Sequence, residues 1–97
     1  MKLNKSQNRY LRGLCHKLTP VVMVADKGLN ENVMAEIELA LEHHELIKIK
    51  LRGDKAQREQ WLQTLDKTCN AQLVQSIGQV ACLFRRNPDR PRVAIPV

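Results

Sequence analysis

Three kinds of side chain in this sequence could carry chemistry, and the first is a short run of two histidines and a glutamate. His43, His44 and Glu45 are consecutive and fall at the end of a predicted helix, where neighbouring side chains point about 100° apart. They therefore cannot chelate one metal ion from one face. Because no nucleophile, oxyanion hole or orienting group accompanies them, the sequence predicts a protein that is not an enzyme and has no metal or cofactor site.

Cysteines are the second kind. Cys15, Cys69 and Cys82 are odd in number and form no C-x-x-C pair, which disfavours both a disulfide framework and a structural zinc cluster. Each falls on or near a predicted apolar stripe. We therefore expect buried, unreactive thiols in a reduced, intracellular protein.

The third kind is cationic, and its chemistry is phosphate binding. The 97 residues include 16 Lys and Arg against 10 Asp and Glu, which gives a formal net charge of +6 at pH 7. On so short a chain this balance favours a polyanionic partner, with nucleic acid as the leading candidate. Aromatic residues make up 3% of the chain, so few rings are available for base stacking, and contact through phosphate is expected.

The first predicted helix concentrates part of this charge on one side. It begins after Asn4, which forms a capping-box pattern with Gln7. At 100° per residue its leucines share one side, whereas Lys5, Arg9 and Arg12 form a stripe opposite, which we call the basic ridge. A solvated polar face without a partner is the alternative interpretation of such a stripe.

The rest of the pattern predicts four strands and two more helices. An apolar run at 21–24 suits a buried strand, and residues 46–52 alternate as a half-buried strand with one cationic face. Residues 71–77 and 79–84 form two further strands joined by a tight hairpin about Gly78, and the apolar run at 80–84 suits a central strand. Caps at Asn30 and Asp54 begin the second and third helices. The order α-β-α-β-α-β-β implies two crossovers that place helices on the same side of a mixed sheet.

The length fits one domain, residues 1–97, with a basic, proline-containing tail from about residue 85. The tail is expected to pack at its 93–95 end. The chain has no apolar run of 18 residues and no secretory-signal pattern, so we expect a cytoplasmic protein without membrane contact. We also expect it to be monomeric and to bind no small-molecule substrate.

Several short motifs occur in order along the chain: Arg12-Gly13-Leu14, Leu18 to Val24, Lys27-Gly28-Leu29, Ala35-Glu36-Ile37 and Leu46 to Lys50. Together they resemble the CRM domain, named for chloroplast RNA splicing and ribosome maturation, and in particular its single-domain bacterial YhbY-type members. The resemblance spans nearly the whole chain and implies an RNA-binding α/β two-layer sandwich like the C-terminal domain of a bacterial translation initiation factor. Its mixed four-stranded sheet would have strand order 1-2-4-3 with the last strand antiparallel.

The resemblance also implies a binding loop, because the family has a KH-like GxxG loop between the first strand and the next helix. Its positions here are Ala25, Asp26, Lys27 and Gly28, so alanine replaces the first glycine and a carboxylate lies beside the expected phosphate path. Gly28 still permits close approach of a ligand to the backbone, and Lys27 supplies a cation. An ordinary strand-to-helix turn is the alternative interpretation.

Two functional hypotheses follow. The first is a noncatalytic assembly factor that binds rRNA of the large ribosomal subunit precursor through phosphate contacts. It would use the basic ridge, the loop at Ala25–Gly28, and the tail cations Arg85 and Arg86. The alternative is a charge-driven protein-interaction adaptor, in which the acidic second helix and the basic first helix bind oppositely charged partners.

Overall fold

The computed structural model describes residues 2–96 and contains three helices and four strands in the predicted order. Each helix begins where the sequence supplies a cap. The Asn4 and Asp54 side chains accept hydrogen bonds from the backbone N–H groups of Gln7 and Gln57, both within complete capping boxes, and Asn30 caps the second helix alone. The elements are α1 (Lys5–Cys15), β1 (Pro20–Val24), α2 (Glu31–His44), β2 (Leu46–Leu51), α3 (Lys55–Cys69), β3 (Gln72–Ile77) and β4 (Val80–Phe84).

The strands form one mixed sheet in the order β1-β2-β4-β3. β1 and β2 are parallel, whereas β4 is antiparallel to both of its neighbours. The predicted fold class and strand order are therefore confirmed, and β4 is central, as its unbroken apolar sequence predicted.

Alternation along the strands creates two separate cores. On one face, Ile47, Ile49 and Leu83 pack beneath α2 and α3, whose buried residues include Ile37 and Leu65. These two helices share one side of the sheet, as the crossover rule requires.

The opposite face is covered by α1 and by the end of the tail. Leu11 of α1 packs with Phe84 and Val74, and Val93 and Ile95 lie against the same cluster. The predicted packing of the 93–95 end is thus observed. Because α1 lies across the sheet from α2 and α3, it adds a partial third layer to the two-layer sandwich.

The solvent exposure of strand β1 differs from the prediction. Val22 and Val24 are buried, but Val21 and Met23 are each 50% exposed. β1 is an edge strand, and α1 packs over β2 and β3 instead. The prediction of a buried first strand is therefore wrong for one of its faces.

Two cysteines also differ from prediction. Cys15 on α1 and Cys82 on β4 form a disulfide with Cα atoms 6.4 Å apart. The prediction of three unreactive thiols is therefore wrong for this pair, because α1 crosses the sheet directly over β4. Cys69 is a free, buried thiol as predicted, and burial, together with the neighbouring Glu38 carboxylate, raises its pKa to about 11.

No helix within residues 2–96 combines the length and the apolar character needed to cross a bilayer.

Candidate nucleic-acid interface

The basic ridge lies on the exposed side of α1. Lys5, Arg9 and Arg12 are all solvent-exposed, while Leu11 and Cys15 on the same helix are buried against the sheet. Among the described residues, the ion pairs involve other cations, Arg85 and Arg86. The ridge therefore presents three positive charges that no carboxylate of residues 2–96 neutralises by direct contact.

Next to α1, part of the sheet face is open to solvent and carries a row of side chains from all four strands. Met23, Lys50, Val80 and Ile77 are cross-strand partners that span all four strands in register. Met23 is 50% and Ile77 62% exposed, and Lys50 is also exposed. Because partners across a ladder project from the same face, this row places a cation within an apolar surface on the face that carries α1.

Lys48 lies two residues before Lys50 and projects from the same face. It is only partly exposed, and it contributes to a small recess with His16 and Cys82 beneath the end of α1. The cationic strand face predicted from alternation in 46–52 is confirmed, and α1 covers its first half.

The loop at Ala25–Gly28 forms a tight turn at the end of β1. The N–H of Gly28 donates to the carbonyl oxygen of Ala25 at 2.8 Å, and Gly28 has a φ of 63°. This left-handed conformation favours glycine. Asp26 and Lys27 are exposed at the tip, so the loop offers one negative and one positive side chain.

Trp61 of α3 supports this loop from below. A Cβ atom at Gly28 would lie 3.5 Å from Nε1 of Trp61, and a Cβ at Gly53 would lie 2.8 Å from its Cη2. Trp61 is partly buried and packs at the margin of the α2–α3 core. It is therefore a packing residue, and one edge of its ring lies beside the loop.

Arg52, directly after β2, lies beside this loop and was not among the predicted contact residues. Together with Ala25, Asp26, Gly53 and Gln79 it lines an open recess of about 400 Å³. The N–H of Arg52 donates to the carbonyl oxygen of Val24 at 2.7 Å, which fixes the β2–α3 turn beside the loop. The alternating pattern of 46–52 revealed its charge, whereas its proximity to Ala25 follows from the parallel pairing of β1 and β2.

Arg85, a predicted site residue, is bound to acidic residues of α2. Its Nη1 lies 2.8 Å from Oε2 of Glu38 and 3.0 Å from the carbonyl oxygen of Cys69, and its Nη2 lies 3.6 Å from Oε2 of Glu42. Burial alone would raise the pKa of Glu38, but its bonds with Arg85 and Cys69 and the Arg85 charge lower it. Arg85 thus connects α2 to the end of α3.

Arg86, the other predicted tail cation, is bound to Glu45. Its Nη1 donates to Oε1 of that carboxylate at 3.0 Å and to the carbonyl oxygen of Val93 at 3.0 Å. Its guanidinium carbon lies 5.6 Å from the ring centre of Phe84. The structure therefore brings Lys5, Arg9 and Arg12 together on one helix, but places Arg85 and Arg86 in internal contacts with acidic residues.

Glu45, which the sequence indicated only as part of a histidine run, organises the tail. Its side chain is fully buried, and it accepts hydrogen bonds from the backbone N–H groups of Asn87, Arg92 and Val93. Burial would raise the pKa of Glu45, but these three donors and the Arg86 charge outweigh it and lower the pKa. The carboxylate thus holds residues 86–93 in a closed turn.

The fold and this surface define a small, basic α/β domain with a cationic helix, an open cationic sheet face and a loop that ends in glycine. Residues 3–85 match the family model of the CRS1/YhbY (CRM) domain, and the chain belongs to that family.

Relatives from several bacteria align over most of their length. A Haemophilus influenzae protein named RNA-binding protein is 40% identical over 95 residues, which are 97% of this chain and 95% of the relative. A Pseudomonas aeruginosa protein named a probable RNA-binding protein is 44% identical over 91% of this chain and 86% of its own. The solution structure of a Staphylococcus aureus protein superposes with a TM-score of 0.82 at 30% identity, over 98% of this chain and 100% of that one.

Proposed function

We propose that this protein binds RNA through phosphate contacts and acts without catalysing a reaction. The observation that carries the proposal is the basic ridge, whose three exposed cations make no ion pair with the described carboxylates. Two relatives that share 40% and 44% of its residues are named for RNA binding. Unpaired surface cations of this kind suit a polyphosphate backbone, because each one can displace a condensed counterion.

The contact surface in this proposal has two parts. Lys5, Arg9 and Arg12 bind backbone phosphates along α1, and Lys27 and Gly28 bind at the tip of the loop, where Gly28 allows close approach of the backbone. Arg85 and Arg86 remain predicted contacts. Their guanidinium groups already hold Glu38 and Glu45, so any RNA contact they make must coexist with these internal bonds.

We further propose that the RNA is rRNA in a precursor of the large ribosomal subunit, and that the protein acts there as a cytoplasmic monomer. Assembling rRNA presents dense phosphate and incompletely covered helices, which a small basic domain recognises by shape and charge. The sequence has no G-x-x-x-x-G-K-[ST] loop for nucleotide hydrolysis. The protein would therefore stabilise one rRNA conformation until mature contacts displace it.

The adaptor alternative is weakened by the acidic helix itself. A protein-docking surface on α2 would need its glutamates available to a basic partner. Arg85 already forms ion pairs with Glu38 and Glu42, and Arg86 forms an ion pair with the buried Glu45. Much of the acidic charge of α2 is thus satisfied within the molecule.

Sedimentation of a cell extract tests the assembly-factor proposal. At low salt the protein should travel with large-subunit precursors, and it should leave them as salt is raised, because phosphate contacts weaken with ionic strength. Recovery only in the free fraction at low salt, or equal association with every ribosomal species, would contradict it.

A further inference from the structure

A groove on the other flank of α1 has the features of a second ligand site. Its cavity of about 650 Å³ lies among the end of α1, the start of β1, the end of α2 and the tail. Leu14, Leu18 and Val21 supply apolar walls. Val21 is 50% exposed, so this part of the wall is open to solvent.

The charged side chains that line the groove are all cationic. Lys17, Lys48 and Arg92 line it, and none of its described lining residues is acidic. The one carboxylate buried close by, Glu45, is saturated by Arg86 and by the backbone of the tail. The groove therefore favours an anion that also carries an apolar surface.

Two histidines give the groove an aromatic surface. His43 and His44 both line it, and their rings are nearly perpendicular, with centroids 6.3 Å apart and an interplanar angle of 82°. In this arrangement the two imidazoles are presented in different orientations, and an imidazole face can stack on a nucleobase.

From these features we infer that the groove holds one unpaired nucleotide of the bound RNA. Its base lies against the imidazoles and the apolar wall, and its phosphate lies between Lys17 and Arg92. The cavity volume is within the range of about 300–1,000 Å³ typical of small-ligand sites. The inference rests on the proposed RNA binding and deepens it, because it makes the protein selective for RNA with an unstacked base.

An acidic peptide is the competing occupant of a cationic groove. It would satisfy Lys17 and Arg92, but glutamate and aspartate side chains have no planar apolar surface to place against His43, His44 and Val21. A nucleotide matches both the charge and the wall, so the groove fits it better.

Amide chemical shifts of the ¹⁵N-labelled full chain test the inference directly. A single-stranded RNA octamer should shift the amides of residues 5–12 on the ridge and also those of residues 17–19, Val21 and residues 43–48 around the groove. An RNA duplex of the same length should shift the ridge and the loop at Ala25–Gly28 but not the groove, because its bases remain stacked and paired. Hexaglutamate and inorganic phosphate are the comparison ligands, and neither should reproduce the groove shifts.

A charge-matched pair of variants separates local contact from general electrostatics. Lys17→Gln with Arg92→Gln should lower octamer affinity by roughly fivefold and abolish the groove shifts. The Gln variant at 92 keeps the backbone N–H that bonds Glu45. Lys55→Gln with Lys67→Gln removes the same charge from exposed positions on α3, across the sheet, and should change affinity by less than about twofold.

The outcomes distinguish this inference from the proposed function. Ridge shifts without groove shifts would overturn the nucleotide site and leave RNA binding intact. Equal groove shifts with duplex RNA or with phosphate would overturn selectivity for an unpaired base. Groove shifts seen only with hexaglutamate would overturn the nucleotide as the occupant of the groove and identify an acidic peptide instead. No shift anywhere with either RNA would overturn both proposals.

Discussion

Arg86 and Glu45 form a partly buried ion pair in which Nη1 lies 3.0 Å from Oε1, and the Glu45 side chain has no solvent exposure. Glu45 is the residue that ends α2, with a φ of 62°. Its carbonyl oxygen also accepts a hydrogen bond from the N–H of Arg85 at 2.9 Å. One residue thus ends a helix, fixes the exit from β4 and holds the tail.

Replacing Glu45 should destabilise the fold. Glu45→Gln removes the charge that faces Arg86 and leaves one oxygen where two accept hydrogen bonds from the tail. Removing one partner of a buried pair costs about 3–5 kcal/mol, so we expect a loss of about 3 kcal/mol in the free energy of unfolding, measured by urea denaturation at pH 7. Glu59→Gln, at an exposed position of α3, should change it by less than about 0.5 kcal/mol.

The decrease in the free energy of unfolding caused by Glu45→Gln should depend on pH, because the Glu45 carboxylate titrates. The pKa of Glu45 in the folded protein lies below its ordinary value of 4.5, so its stabilising contribution is complete above that value and disappears as the pH falls through the folded-state pKa. The stability difference between the native protein and Glu45→Gln should therefore be constant from pH 6 to 7 and shrink below pH 4.5. A difference that does not change with pH would show that the ionised carboxylate is not its source.

Local sequence signals predicted the elements of this fold because each signal acts within a few residues. The caps at Asn4, Asn30 and Asp54 lie where the helices begin, and alternation in 46–52 identified both faces of β2. The strand order came from a family resemblance rather than from these patterns.

The partners of the tail cations could not be predicted in the same way. Arg86 and Glu45 are 41 residues apart, and they meet only because β4 lies beside β2 and returns the chain to the end of α2. The sequence showed basic residues in a proline-containing tail, which is equally compatible with an open, RNA-binding extension. The exposure of Val21 and Met23 could not be predicted for a related reason, because an apolar run does not indicate whether its strand lies at the edge or in the centre of the sheet.

Neutralising the basic ridge should weaken RNA binding without unfolding the protein. With four to six phosphate contacts, the slope of log affinity against log salt on single strands should be roughly −3 to −4, and replacing Lys5, Arg9 and Arg12 by Gln should bring it closer to zero by about 2. Filter binding between 50 and about 200 mM salt measures both slopes.

The ridge prediction has a charge-matched control. Arg9→Gln with Arg12→Gln should reduce affinity far more than Lys55→Gln with Lys67→Gln, which removes the same charge from α3. Equal losses would mean that only net charge matters and that the ridge is a solvated face. A lower melting temperature in the ridge variants would show instead that these side chains support the fold.

Substitutions at Gly28 should separate backbone conformation from ligand contact. A Cβ there meets Trp61 Nε1 at 3.5 Å, an ordinary contact, so the cost comes from the φ of 63°. Gly28→Val should lose about 1–3 kcal/mol of stability, whereas Gly28→Asn should lose less, because asparagine tolerates the left-handed region. Ala25→Gly should be tolerated.

RNA affinity decides the role of this loop. If RNA approaches the backbone at Gly28, Gly28→Asn should bind more weakly while it remains folded under the assay conditions. Affinity that follows stability across Gly28→Val, Gly28→Asn and Ala25→Gly would instead identify an ordinary structural turn.

Fluorescence of Trp61 should report on the loop, because this residue is the sole tryptophan and its Nε1 edge lies beneath Gly28. A ring enclosed in the core would be insensitive to RNA, but Trp61 is partly exposed, and a phosphate bound at Lys27 and Gly28 would change the field and hydration at the indole edge. We therefore expect a saturable change in emission during titration with single-stranded RNA, with the same midpoint as filter binding. Arg9→Gln with Arg12→Gln should move that midpoint to higher RNA concentration and leave the change at saturation the same, since the ridge and the loop contact different phosphates. Full binding with unchanged Trp61 emission would remove the loop from the interface and leave the ridge as the site of contact.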